Sequence, residues 1–229
     1  MPKPMTLRLY AAIVLLLLSI SGMAAETRSP PVYDIELLIF AQGEGDASEQ
    51  WPVDPGTPPT DGTTAMEQLD LLDRKAWRLT AEGYALSRSG GRYRPLLHLA
   101  WRQPVLGRKQ ASWIHLTSDD RIADGYPVLE GNVRISVARY LHLDLDLLLR
   151  DSLGGDADFQ AYRFTAHRRM RSGELHYIDH PRLGVLIRID KAPEGQAATT
   201  EPKETEQKDG EPETPAGEHA RPATAATPR

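Results

Sequence analysis

The chain has 229 residues, a formal charge of −5, 26% charged side chains and no cysteine. Without cysteine there is no disulfide, no acylated lipoprotein terminus and no thiolate for catalysis or metal binding. The acidic balance gives no global sign of nucleic-acid binding.

Residues 1–25 read as a secretory signal. Lys3 and Arg8 precede the apolar run AAIVLLLLSI, and SGMAAE offers a cleavage site with Gly22 and Ala24 at the small positions. A membrane span needs about 20 apolar residues, so this run predicts no stable membrane anchor. Together these features predict a soluble periplasmic protein. At the other end, residues 191–229 have no aromatic side chain and are rich in Pro, Glu, Thr and Ala. That composition buries too little apolar surface to offset chain entropy, and a disordered tail is expected. The tail holds eight acids against five bases and the leader two bases, which leaves −4 on residues 26–190. Those residues suffice for a single folded domain.

The first predicted element is VYDIELLIF. Tyr33, Ile35, Leu37 and Ile39 alternate with Asp34 and Glu36, the pattern of a half-buried strand. A loop rich in Gly, Pro and Asp follows over residues 41–64, with Trp51 as an anchor onto the fold or a ligand contact. Leu69, Leu72, Ala76, Leu79 and Gly83 are spaced as on a helix, which predicts an amphipathic helix over residues 65–83. YRPLLHLAWRQP and ASWIHL read as two strands, forming a hairpin across VLGRKQ. In NVRISVARYLHLDLDLLLR, apolar side chains fall on odd positions from Val133 to Leu149, with polar ones between them. A straight strand of that length would exceed about 55 Å, so a bend or bulge is expected near Arg139. AYRFTAHRRMRS and LGVLIRID supply the last strands. The tally is about six strands and one main helix without a βαβ rhythm. It predicts a single α+β domain, mostly antiparallel sheet with the helix packed on a face.

Charge concentrates in RRMRSGELHYIDHPRLG, residues 168–184, with four arginines, two acids and two histidines. Three chemistries fit: a metal site, an anion-binding surface, or an internal salt-bridge network. HYIDH resembles the zinc motif H-x-x-E-H only faintly. Gly173 and Pro181 disfavour a helix there, and in a strand Asp179 points away from His176 and His180. No metal and no cofactor are expected. No nucleophile motif is present, and Asp144 and Asp146 on one strand face read as solvated acids. Anion binding is better supported. Arg163, His167, Arg169 and Arg171 share a strand face at period two, and guanidinium forks take carboxylate or phosphate. Arg94 and Arg102 are candidates for a neighbouring strand, and Tyr177 and Trp101 for stacking on sugar rings. The competing reading pairs these arginines internally with Glu174, Asp179, Glu130 and Asp144.

Three segments in order, YRPLLHLAWRQP, LEGNVRISVARYLHLDLDL and RRMRSGELHYIDHPRLGVLIRI, follow the YDIELLIF strand. Over residues 32–189 the chain resembles the CsiV-type peptidoglycan-binding proteins of gammaproteobacteria. The resemblance implies a periplasmic, non-enzymatic protein that binds peptidoglycan. It also implies a role in wall assembly by way of a lipoprotein activator of a class A penicillin-binding protein. It supplies no binding residues. Carboxylates of peptidoglycan stem peptides suit an arginine-rich face, and glycan rings suit exposed Trp and Tyr. The expected ligand-binding set is therefore Arg163, His167, Arg169, Arg171, Tyr177 and Trp101. Glu174, His176, Asp179 and His180 are expected to support it, together with Arg168, whose core parity predicts an internal partner. Two other readings stand beside this one: a protein–protein adaptor without wall binding, and a metal-dependent wall hydrolase.

Overall fold

The computed structural model describes residues 29–43, 52, 54–152 and 159–193. The leader, Trp51 and nearly all of the tail lie outside them, and so do the expectations placed there.

Among the described residues, ten strands and one α-helix follow in order: β1 (Val32–Gln42), β2 (Thr64–Ala65), β3 (Asp70–Leu71), α1 (Thr80–Ser87), β4 (Tyr93–Pro104), β5 (Ile114–Thr117), β6 (Leu129–Val137), β7 (Leu141–Ser152), β8 (Phe159–Met170), β9 (Leu175–His180) and β10 (Leu183–Lys191). The expected class holds: a mostly antiparallel α+β domain, with a single α-helix among the described residues. The strands divide between two five-stranded sheets, ordered β3-β4-β1-β10-β9 and β2-β5-β6-β7-β8. Among the described residues only the short β2–β5 pair is parallel.

Odd-numbered side chains of β1, β7 and β10 meet in one core. Ile35, Leu37 and Ile39 from the first sheet and Leu143, Leu145 and Leu147 from the second are at most 2% exposed. Each such side chain contributes roughly 1.5–3 kcal/mol of burial. One shared core makes the two sheets a sandwich, with the even-numbered positions on its outer faces. β1 departs from the half-buried expectation, because it is the middle strand of the first sheet and is covered on both sides. Leu38 and Phe40 are buried on its outer side, and α1 covers part of it, with Gly83 against Leu38 and His98.

Three local expectations change. The helix expected over residues 65–83 is confined to α1. Leu72 N–H donates to Ala100 C=O, and β3 pairs with Arg102 and Trp101, so the backbone of the earlier segment is spent on the edge of the first sheet. Asp73 accepts from Lys75 N–H and starts a 3-10 turn over Arg74–Ala76. Next, β4 and β5 form no hairpin; the chain passes from one sheet to the other at the buried Val105. Last, the long alternating segment is a complete hairpin. Val137 pairs with Leu141, Ala138 N–H donates to Tyr140 C=O, and Arg139 stands exposed at the tip. The hairpin keeps the odd positions of both strands inward and takes Arg139 out of the core.

Candidate functional site

The outer face of the second sheet is built from the even positions of β6 and β7 and the odd positions of β8. Its register places Arg134 across from Asp144, Asp144 across from His167, Asp146 across from Thr165 and His142 across from Arg169. A proline-rich segment covers one half. Asn132 Nδ2 donates to Pro59 C=O at 2.6 Å, Arg163 Nη1 donates to Pro55 C=O at 3.2 Å, and Pro58 is buried. Under this strap Arg163 grips Asp146 through Nε and Nη2, both at 2.8 Å. Arg163 is therefore a structural residue in a bidentate pair, and the internal-pairing reading applies to it.

Asp144 is the centre of the half that the proline-rich segment leaves free among the described residues. It is 5% exposed and accepts from Arg134 Nη2 at 3.0 Å, Arg108 Nη2 at 2.7 Å and His167 Nδ1 at 2.8 Å. Burial pushes this carboxyl's pKa up, but the bonds from His167 and Arg134 and the charges of Arg134 and Arg108 outweigh it, and the net shift is downward. Arg134 also lies over the Trp113 ring, 4.4 Å from its centroid. A glycosidase general acid needs a raised pKa. Asp144 is shifted the other way and Asp146 is held by Arg163, so this pair is built to hold cations.

Beyond Asp144 the face becomes cationic and aromatic. Tyr140 has the Arg169 guanidinium 4.6 Å from its ring centroid and that of Arg139 at 5.7 Å. Arg139 and Arg169 are exposed, and among the described residues neither has a carboxylate within salt-bridge distance. Arg171 follows at the corner of the sandwich with its side chain 74% exposed, and its guanidinium lies 3.7 Å from Glu174, itself 52% exposed. Such a surface pair contributes about 0–1 kcal/mol and can be displaced by a stronger anion. His142 and His167 complete the face, their rings 5.3 Å apart.

The structure separates the expected site residues. His167 and Arg169 lie on this face, and Arg171 and Glu174 lie in the turn that leads from β8 in the second sheet to β9 in the first. Tyr177 and Asp179 are on the outer face of the first sheet, the opposite side of the sandwich. There Tyr177 stacks 6.3 Å from Phe40, and its hydroxyl donates to Asp179 Oδ1 at 2.6 Å. Burial and the neighbouring Asp179 push the phenol up to about 12. The hydrogen bonds from Tyr177 and Gln42 hold the Asp179 carboxyl below its usual range. His176 and His180 take the other parity of β9, so the HYIDH trio does not converge. His180 packs 4.7 Å from Phe164, and burial lowers its pKa.

Two further assignments are corrected. Trp101 is 0% exposed in the core, with Nε1 donating to Gln103 Oε1 at 2.7 Å, so no sugar ring can reach it. Arg168 has core parity but is exposed at the rim, with no internal ion pair among the described residues. Arg94 and Arg102 belong to the first sheet. Arg102 is bound bidentately by Asp34 and Arg94 lies near Asp120 and Asp151, so neither joins the cationic face. Reasoning from the sequence missed Arg108, Trp113, Arg139 and Tyr140 as members of the face. Arg139 did carry a signal, since it broke the parity of its segment.

No curated protein and no solved structure matches the chain. The model of one protein family, described as "Peptidoglycan-binding protein, CsiV", matches residues 9–192. The matched span contains both sheets, the cationic corner and every described strand. The chain belongs to the CsiV family of peptidoglycan-binding proteins.

Proposed function

We propose that this protein holds peptidoglycan without chemistry, through the uncovered outer face of the second sheet. Arg139, Arg169 and Arg171 take carboxylates of the stem peptides, and Tyr140 supplies a ring surface beside them. The observation that carries this reading is Arg169, an exposed guanidinium set on an aromatic ring with no carboxylate partner among the described residues. A guanidinium placed in that way is preorganised for an anion from outside. The family description supports the ligand class. The leader supports export to the periplasm. A role in wall assembly, by way of a lipoprotein activator of a class A penicillin-binding protein, extends the same reading.

Co-sedimentation of the purified protein with sacculi, at low and high salt, tests it. Salt-sensitive pelleting without release of soluble fragments is expected, because exposed ion pairs weaken with screening. Arg139→Ala, Arg169→Ala and Arg171→Ala combined should lose most of the pelleting, while Tyr177→Ala on the opposite face should keep it. The reverse pattern would move the site to the first sheet. No pelleting at all would favour the protein–protein adaptor, and released muropeptides a hydrolase.

A further inference from the structure

The uncovered face contains a pair of imidazoles that the wall-binding reading does not use. His142 Nδ1 and His167 Nε2, on adjacent strands, stand 3.4 Å apart. Their ring centroids are 5.3 Å apart and their planes differ by 16°. A straight N–H···N hydrogen bond of that length would set the centroids about 5.7 Å apart, since each nitrogen lies roughly 1.15 Å from its ring centre. The shorter separation means that the ring axes are bent away from the line joining the nitrogens.

That bend fits a shared metal ion. Two imidazole nitrogens about 2.0–2.1 Å from one tetrahedral ion stand roughly 3.3–3.4 Å apart, with ring centroids about 5.2–5.3 Å apart. Both observed separations match. The second nitrogen of His167 points the same way. Its Nδ1 lies 2.8 Å from Asp144 Oδ1, and a carboxylate kept ionised by Arg134 and Arg108 can only accept. In the neutral ring the proton therefore sits on Nδ1, and Nε2 presents its lone pair toward His142. A carboxylate that orients a histidine in this way is the usual outer partner of a metal-bound imidazole.

From this geometry we infer that His142 and His167 form a two-histidine site for a divalent first-row transition ion such as zinc, nickel or copper, with Asp144 as the positioning residue. Neutral imidazole suits these ions and not calcium or magnesium, which take oxygen ligands. Two coordination positions remain for water or an added ligand, since no group of three or more His, Asp or Glu side chains among the described residues is arranged around one ion. Binding is expected to be weaker than at a closed structural site, because Arg134 and Arg108 lie against the same carboxylate.

The test uses untagged protein titrated with zinc, nickel or magnesium chloride. Expected are about one zinc or nickel per chain, no response to magnesium, and a melting midpoint that rises by several degrees once the ion exceeds its dissociation constant about a hundredfold. His142→Ala and His167→Ala should each weaken binding at least tenfold, and His142→Ala should melt like the parent in chelator. Ring resonances of His142 and His167 should shift together with zinc, and those of His98, His115, His176 and His180 should not. Binding that is undetectable below millimolar ion, or that survives both substitutions, overturns the site. Neither result bears on sacculus binding, which is measured in chelator.

Discussion

Glu36 and His98 meet at 2.7 Å, Oε1 to Nε2, beneath the start of α1. The same carboxylate accepts the backbone N–H groups of Arg78 and Leu79, and Leu79 is 2% exposed. A side chain of the sheet thus holds the two backbone N–H groups that lead into α1, and pins the start of the helix to the outer face of the first sheet. His98 in turn lies against the Trp77 ring, 4.4 Å between centroids. Glu36→Ala takes the acceptor from the buried Leu79 N–H, the part-buried Arg78 N–H and one imidazole. It should cost about 2–4 kcal/mol in urea unfolding. A loss below about 1 kcal/mol would mean that water replaces the carboxylate and that this anchor is dispensable.

Asp144 carries a comparable load on the second sheet, shared unequally. Arg134 has an 18% exposed side chain and Arg108 a 57% exposed one. Asp144→Asn strands the more buried Arg134, and about 2–3 kcal/mol should be lost. Arg108→Ala removes a partner that solvent already screens and should cost less than about 1 kcal/mol. Denaturant midpoints of the two variants at equal slope check the ranking. Equal losses would show that Asp144 is held by the loop arginine as firmly as by its strand neighbour.

The strand alternation was legible in the sequence because one face of each strand meets the same core. The division into two sheets was not, since parity reads alike whether neighbours lie in one sheet or two. Trp101 shares its parity with Leu99, so its burial was already written in β4, and a ligand role for it conflicted with that pattern. Arg163, His167 and Arg169 were correctly grouped on one face, because β8 is regular through all three. Tyr177 was separated from them by something that parity cannot follow. Between Arg171 and Leu175 the chain turns through Gly173, at φ 83°, and crosses from one sheet to the other, with Gly173 N–H donating to Ile189 C=O. The apparent helix over residues 65–83 arose because 3-10 turns and sheet-edge contacts happened to repeat at three- to four-residue spacing.

Stability should fall in acid in two stages. His180 is pushed below its ordinary 6.5 by burial, so the unfolded chain takes up a proton there before the folded one does. That contribution is present above pH 6.5 and fades as the pH falls toward the folded value. Glu36, Asp144 and Asp179 are all shifted below their ordinary 3.8–4.5. For Glu36 burial pushes the pKa up, and the bonds from His98, Arg78 N–H and Leu79 N–H overcome it. Their contribution is complete above about pH 5 and is lost as the pH drops through the folded values. Melting midpoints between pH 8 and 3 should show a shallow decline and then a steep one. His180→Asn, which keeps an acceptor for Arg182 N–H, should flatten the first stage alone. A single steep decline in both proteins would remove His180 from the account.

Arg168 raises a different question, since its parity points it at the core from an edge strand. β8 is the last strand of its sheet, twelve residues long, and Leu143 across from Arg168 is 1% exposed. Among the described residues no strand pairs with the outer edge of β8; a long edge of that kind with an apolar inner side invites pairing with another copy, and an inward-pointing charge is one way such pairing is prevented. The guanidinium cannot be buried without a partner, so an approaching edge would have to desolvate it at a cost of several kcal/mol. Arg168→Val removes that cost and adds a residue favoured in strands. The variant should fold as stably as the parent yet sediment partly as dimers and larger species, increasingly so with concentration. Arg168→Lys keeps the charge and should remain at the parent's mass. If Arg168→Val also keeps the parent's mass at every concentration, the edge is protected by other means, of which the neighbouring Arg169 and the corner at Arg171 are the nearest.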